Sequence, residues 1–316
     1  MESRIRNLLF LACAAAHVLA AAGCGGGGET SATTSSTSSS SSSGGGEGGA
    51  APMADRGPTT IALDGDPDGL FWDEATRTLF IADNDNNRIL QYRDGEGISL
   101  YAELGMAPAS GPGLGQLVKL ADGTIVVPRF GFGMDGDVAV IKPDKSTSTV
   151  PGLDPIRRRI GLTITKDGVL YDSYFAQTPS GKVGAVAKLD LAGTEEEVLT
   201  GVDKPVGVLA DGDFLVVSAQ YGNQIVRAPI AHPDQLTVIA QIDAPDLLCP
   251  GPNGSYFTGG KGGSVRQVFG DGKFSDFAGG FQEIRGVAYD AKNGRLFAAD
   301  HDPGGMTHKL QIVPVD

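Results

Sequence analysis

Cysteine is scarce, with three residues in a chain of 316. Cys13 and Cys24 lie near the N-terminus, so Cys249 is alone in the body of the chain and no internal disulfide is available there. It sits in Leu247-Leu248-Cys249 and reads as a small core residue. Whatever folds here must be held by its apolar core, for which the length is ample. Positive charge is also in deficit. Lys and Arg total 25 against 38 Asp and Glu, a net charge of −13. That balance argues against nucleic acid and anionic lipid as partners and leaves cations and neutral ligands open. No segment carries a convincing helical period. No G-x-S-x-G pattern marks a nucleophile. The apolar run Leu8 to Ala22 is too short and alanine-rich for a good membrane span.

That run has another reading. Arg4 and Arg6 precede it, and it ends on Ala21-Ala22-Gly23-Cys24, the layout of a removable secretory signal. The last four residues resemble the bacterial lipoprotein cleavage motif, which implies that Cys24 becomes the lipidated N-terminus. The alternative is an ordinary secretory signal with a chance cysteine. From Gly25 to about Gly57 the sequence is almost entirely Gly, Ser, Thr and Ala, which cannot bury enough apolar surface to order itself. The expected organisation is a signal at 1–23, a lipidated cysteine and flexible tether at 24–57, and one folded domain at 58–316. The expected location is the cell envelope, periplasmic or at the outer surface, with the membrane as partner through Cys24 and the domain a monomer.

The domain repeats. A glycine recurs before an apolar run in Asp68-Gly69-Leu70-Phe71, Leu114-Gly115-Gln116-Leu117, Ile160-Gly161-Leu162-Thr163 and Val206-Gly207-Val208-Leu209. Two further copies follow, Asp246-Leu247-Leu248, where leucine replaces the glycine, and Arg285-Gly286-Val287-Ala288. Each copy continues into a polar turn, such as Asp122-Gly123 or Asp167-Gly168, and then an apolar strand, such as Leu79-Phe80-Ile81-Ala82. Units of ~40–46 residues built of short strands are the size of propeller blades. The expectation is all-β: a six-bladed β-propeller of four-stranded blades. The last unit lacks an outer strand and Thr59-Thr60-Ile61-Ala62-Leu63 has no blade of its own. The N-terminal strand is therefore expected to complete the last blade and close the ring.

Family resemblances enter here. Leu79 to Ile89, L-F-I-A-D-N-D-N-N-R-I, resembles the NHL-type repeat. Asp68-Gly69-Leu70-Phe71-Trp72 is similar to the start of the gluconolactonase and senescence-marker group, with Asp for Glu and Leu for Pro. The second resemblance implies a divalent cation on the propeller axis, held by carboxylate and Asn side chains just before the repeating glycine. Hard oxygen ligands of that kind suit calcium or magnesium. In this chain those positions are Asp68, Leu114, Ile160, Val206, Asp246 and Arg285. Leu, Ile and Val cannot coordinate a cation, so the full metal site of that group is not expected, nor its usual mechanism.

Asp68, Asp246 and Arg285 fall on consecutive units around the ring and could meet near the axis. They read either as a charge-neutralising plug or as an anion or carbonyl clamp with Arg285 as donor. Arg129, Phe130, Tyr174, Phe175, Gln220, Tyr221 and Lys261 are further candidates on the same face for a small ligand or peptide, or else rim packing. Asp64-Gly65-Asp66-Pro67-Asp68-Gly69 has the D-x-D-x-D-G form of a calcium loop, with Asp64, Asp66 and Asp68 as ligands. Its twelfth position is Ala75 rather than Glu, and turn shaping is the competing reading. His301 lies between Asp300 and Asp302 and could act as a base oriented by either. Two function classes stay open: a propeller that binds a small ligand or an envelope protein, and a divalent-metal-dependent lactone or ester hydrolase of the gluconolactonase-like type with a modified axial site and Ca2+ as its candidate cofactor.

Overall fold

The computed structural model describes residues 58–178, 181–305 and 307–315. The expected signal, Cys24 and the tether lie outside these residues. The described chain is all-β apart from two three-residue 3-10 turns at Gly131–Gly133 and Pro252–Gly254. A first short strand, β1 (Thr59–Ala62), is followed by β2 (Pro67–Asp73), β3 (Thr78–Asp83), β4 (Arg88–Arg93) and β5 (Gly97–Glu103), which form one four-stranded antiparallel sheet. The next is β6 (Val118–Lys119), β7 (Ile125–Arg129), β8 (Asp137–Ile141) and β9 (Thr147–Thr149). The third is β10 (Arg158–Ile164), β11 (Leu170–Thr178), β12 (Gly181–Leu189) and β13 (Glu195–Thr200). The fourth is β14 (Pro205–Asp211), β15 (Phe214–Ala219), β16 (Gln224–Pro229) and β17 (Thr237–Gln241).

The last two repeat units depart from the expected pattern of separate blades. β18 (Pro245–Pro250), β19 (Tyr256–Gly260), β20 (Ser264–Val268) and β21 (Phe274–Gly279) join β22 (Glu283–Asp290), β23 (Arg295–His301) and β24 (Lys309–Pro314), with β1, in one eight-stranded sheet. The junction is a single pairing, Gly260 with Ile284. Its cause is local. Neither Gly259 nor Gly260 has a side chain, and a Cβ on Gly259 would lie 2.4 Å from the Ile284 carbonyl oxygen. The two strands can touch there only because the glycines leave room.

β1 pairs antiparallel with β24, Thr59 opposite Ile312 and Ala62 opposite Lys309. The first strand of the domain thus lies beside the last. Apolar clusters sit between each successive group of strands, where the alternating inward residues of one sheet meet those of the next. A further one packs Leu70, Leu79 and Ile81 against Phe297, Ala299 and Leu310, joining the end of the chain to its beginning. The sheets are therefore arranged in a ring, a β-propeller.

The repeating glycine has a definite task in this ring. An added Cβ on Gly69 would lie 2.0 Å from the Gly115 carbonyl oxygen, on Gly115 2.0 Å from that of Ile160, and on Gly286 2.0 Å from that of Asp68. Innermost strands approach each other backbone to backbone at the axis, and only glycine fits. Where Leu247 replaces the glycine, the close approach to the following strand is made instead by Gly259 on β19.

Candidate functional site

The residue before each repeat position is set by a bulge. Pairing of β2 with β3 jumps from Pro67–Asp83 to Leu70–Ile81, so Asp68 and Gly69 together oppose one residue. The same shift occurs at Arg159/Gly161, Pro205/Gly207, Pro245/Leu248 and Ile284/Val287. A bulge re-aims the extra side chain. Here it turns Asp68, Ile160, Val206, Asp246 and Arg285 to a common cavity of about 190 Å³, lined also by Leu114, Asn84, Phe130, Lys204 and Gln220. A second cavity of about 410 Å³ shares Lys204, Gln220 and Arg285 with it and adds Tyr221, Lys261 and Glu283.

The structure thus brings Asp68, Asp246 and Arg285 together. Arg285 carries the charge between the two carboxyls. Its nearest ionic partner is Glu283, at 3.6 Å, and its Nε is buried without a hydrogen-bond partner. The donors of this guanidinium are largely unspent. Burial pushes the Asp68 carboxyl up to about 8, with Arg285 opposing the rise and Asp246 and Asp66 adding to it. Burial likewise lifts Asp246, to about 6, against Arg285 and Lys204. Near neutral pH Asp68 is therefore mostly protonated and Asp246 mostly ionised. Gln220 donates to Asp246 Oδ2 over 3.5 Å, and Lys204 donates to Gln220 Oε1.

Other candidates lie elsewhere. Arg129 is buried and donates two hydrogen bonds to Asp137, each of 2.6 Å, and a third to the Met106 carbonyl. It fixes the β7–β8 edge and lines neither cavity above. Tyr174 is buried, donates to Glu197 and lies under Arg157, 4.3 Å from its ring centroid. It too is packing. Phe175 is buried against Phe130, whereas Tyr221 is half exposed at the mouth with Lys204 4.7 Å over its ring.

The three aspartates of the D-x-D-x-D-G run do not converge. Asp64 is exposed, Asp68 lines the axial cavity, and Asp66 turns to a histidine pair. Calcium needs six to eight oxygen ligands. The three carboxylates of this loop do not supply them from one point, and Leu114, Ile160 and Val206 interrupt the axial set.

His301 has a different partner from the neighbours expected in sequence. Asp300 accepts the Gln282 N–H, and Asp302 accepts from Gly304 and Thr307. The imidazole Nδ1 instead meets Asp66 Oδ1 at 2.5 Å, 235 positions away. That hydrogen bond, with the charge of Asp66, raises the His301 pKa against the effect of burial. Burial pushes Asp66 upward, but His301 and Asn84 outweigh it and hold the carboxyl below its usual range. His308, absent from the sequence-based candidates, completes the group with its ring 5.1 Å from that of His301. No local signal marks it, because its partner Asp66 becomes a neighbour only through ring closure.

No family model matches the sequence, and no curated protein matches it. Solved structures do match in shape. A gluconolactonase from Xanthomonas campestris aligns with TM-score 0.66 and 17% identity over 84% of this chain and 92% of that one. Virginiamycin B lyase from Staphylococcus aureus aligns with TM-score 0.59 and 14% identity over 82% of this chain and 99% of that one. A calcium-binding protein, regucalcin, from Agrobacterium tumefaciens gives TM-score 0.62 and 12% identity over 79% and 91%. At such identities the likeness is one of fold, and the chain is a β-propeller similar in architecture to these proteins.

Proposed function

We propose that this chain is an envelope-anchored, six-bladed propeller whose axial cavity binds a small ligand through a polar carbonyl group. The blade count treats the eight-stranded sheet as two blades joined only at Gly260 and Ile284. The anchor rests on Ala21-Ala22-Gly23-Cys24 and the Gly/Ser tract after it. The observation that carries the binding reading is Arg285, a guanidinium with unspent donors in a cavity that sets Leu114, Ile160 and Val206 against Asp68, Asp246 and Gln220. A protonated Asp68 offers a second donor beside it. Two convergent donors in a pocket of about 190 Å³ suit a lactone, ester or amide carbonyl on a molecule about the size of a monosaccharide.

Asp68 also raises the free energy of the fold when ionised, as a carboxyl lifted to about 8 must. Retaining such a group fits a site kept for function rather than for stability. The test is calorimetric titration of the full-length chain with a panel of lactones, esters and matched hydroxy acids. Binding that disappears in Arg285→Gln but persists in Arg129→Lys supports the reading. Binding that survives Arg285→Gln overturns it.

A second reading has its own observation. Asp246 and Asp68 are pushed to different values, about 6 and about 8, the arrangement of a base and an acid in one pocket. On that reading the site hydrolyses its lactone or ester without a metal, Asp246 activating water and Asp68 protonating the leaving oxygen. It requires a bell-shaped rate profile centred near pH 7, lost in Asp246→Asn. Binding without turnover excludes it.

A further inference from the structure

Asp66, His301 and His308 present three potential ligand atoms within 4.8 Å of one another. Asp66 is far in sequence from the two histidines, which lie seven positions apart. Asp66 lies on the connection between β1 and β2, His301 ends β23, and His308 immediately precedes β24. Asp66 and His308 are buried and His301 is half-buried, so solvent reaches the group from one side. We infer that this cluster is a transition-metal site, with zinc as the natural occupant, that clasps the two ends of the propeller ring together.

The donor set selects the ion. Two imidazole nitrogens and one carboxylate oxygen suit zinc and its neighbours in the first transition row, whereas calcium and magnesium call for oxygen alone. The spacing also fits. Ligand bonds of ~2.0–2.2 Å in a tetrahedron place donor atoms roughly 3.3–3.5 Å apart. His308 Nδ1 lies 3.5 Å from Asp66 Oδ1. His301 Nδ1, now hydrogen-bonded at 2.5 Å, has to swing back by about 1 Å to reach that ligand spacing. His308 Nδ1 accepts the Asp302 N–H at 3.1 Å, so it carries a lone pair and no proton. That tautomer can ligate through Nδ1 once the lone pair turns from the Asp302 N–H to the ion.

The second shell is built as well. Asn84 donates to Asp66 Oδ2 over 3.3 Å, which orients the carboxylate and leaves Oδ1 for the ion. The Asp66 N–H donates to Asp83, and the Leu63 N–H to the His308 carbonyl, so both ligand-bearing loops are fixed by main-chain bonds. Three protein ligands leave a fourth position for water. An ion here ties the segment following β1 to the end of β23 and the start of β24. It therefore acts where the ring closes, and its binding energy adds to the stability of closure.

The experiment uses the full-length chain, stripped with chelator and freed of it. Zn2+ titration by calorimetry is expected to give one site per chain and to raise the melting temperature. His301→Gln is expected to weaken binding at least about tenfold. His232→Gln, at an exposed histidine remote in sequence, is expected to leave it unchanged. Calcium and magnesium at the same concentration are expected not to compete. Should His301→Gln fail to fold, Co2+ in the parent protein supplies an independent readout, because a four- or five-coordinate nitrogen and oxygen site gives strong visible d–d absorption. Absence of saturable zinc binding, equal affinity in His301→Gln, displacement by calcium, or only the weak octahedral cobalt spectrum each overturns the proposal.

Discussion

Replacing Gly115 by alanine tests the reasoning about the axis most directly. The new Cβ would lie 2.0 Å from the Ile160 carbonyl oxygen, 2.8 Å from its carbon and 3.0 Å from its Cα. A carbon–oxygen contact needs roughly 3.3 Å, so the segment leading into β6 and strand β10 must part by about 1.3 Å. All three obstructing atoms are backbone, so no rotamer change relieves the clash. The strands cannot part freely, because Val118 and Val126 on one sheet pack against Leu162 and Leu170 on the next. Overpacking in a core costs about 1–3 kcal/mol where side chains can yield, and here the loss is expected at about 3 kcal/mol or more. Gly259→Ala should behave alike, since that glycine takes over the close approach in the unit where Leu247 stands. Gly270→Ala is the control: its Cβ meets nothing within 4 Å and its φ is not left-handed, so the change should stay within about 0.5 kcal/mol. Urea unfolding with unchanged slope measures all three. If Gly115→Ala and Gly270→Ala unfold at the same midpoint, the axial contact is not what requires glycine.

Asp68→Asn should alter how stability depends on pH. The folded carboxyl titrates at about 8 and an unfolded one near 4, so between these values the native state holds the extra proton. Stability then falls as pH rises across that window, by up to about 1.4 kcal/mol per unit, and levels off above about 8. The Asn variant should lack this decline and be the more stable protein at pH 8; parallel curves for the two proteins would contradict the assignment. Arg159→Ala should cost about 3–5 kcal/mol, because the fully buried guanidinium holds Glu195 through bonds of 2.7 and 2.8 Å and lies 3.3 Å from the equally buried Asp172. A loss below 1 kcal/mol by urea unfolding would mean that these carboxyls are neutralised in some other way. Removing residues 58–62 should lower stability by about 3–4 kcal/mol, at about 1 kcal/mol for each main-chain hydrogen bond lost with the four-residue β1–β24 pairing. An unchanged melting temperature would show that this pairing does not secure the ring.

The amino-acid sequence by itself determined the all-β class, the repeat and the place of its strands. Those follow from local properties: turn residues, alternation of apolar side chains and a glycine at fixed spacing. It also singled out the residues before each glycine, which is why Asp68, Asp246 and Arg285 could be named before the ring was known. Tertiary structure decided the rest. The bulges that aim those three side chains into one cavity arise from strand pairing, which no single strand encodes. Arg129 and Tyr174 were sequence candidates for ligand contact, but Asp137 and Glu197 engage them, partners 8 and 23 positions away that only pairing and packing bring near. The fusion of the last two units into one sheet turns on Gly259 and Gly260 lying opposite Ile284. His301 is the sharpest case. Its sequence neighbours Asp300 and Asp302 are occupied by backbone N–H groups, while Asp66 and His308 reach it because closing the ring brings the start of the domain against its end. Contacts across a closure depend on the whole ring having formed, and no local pattern can announce them.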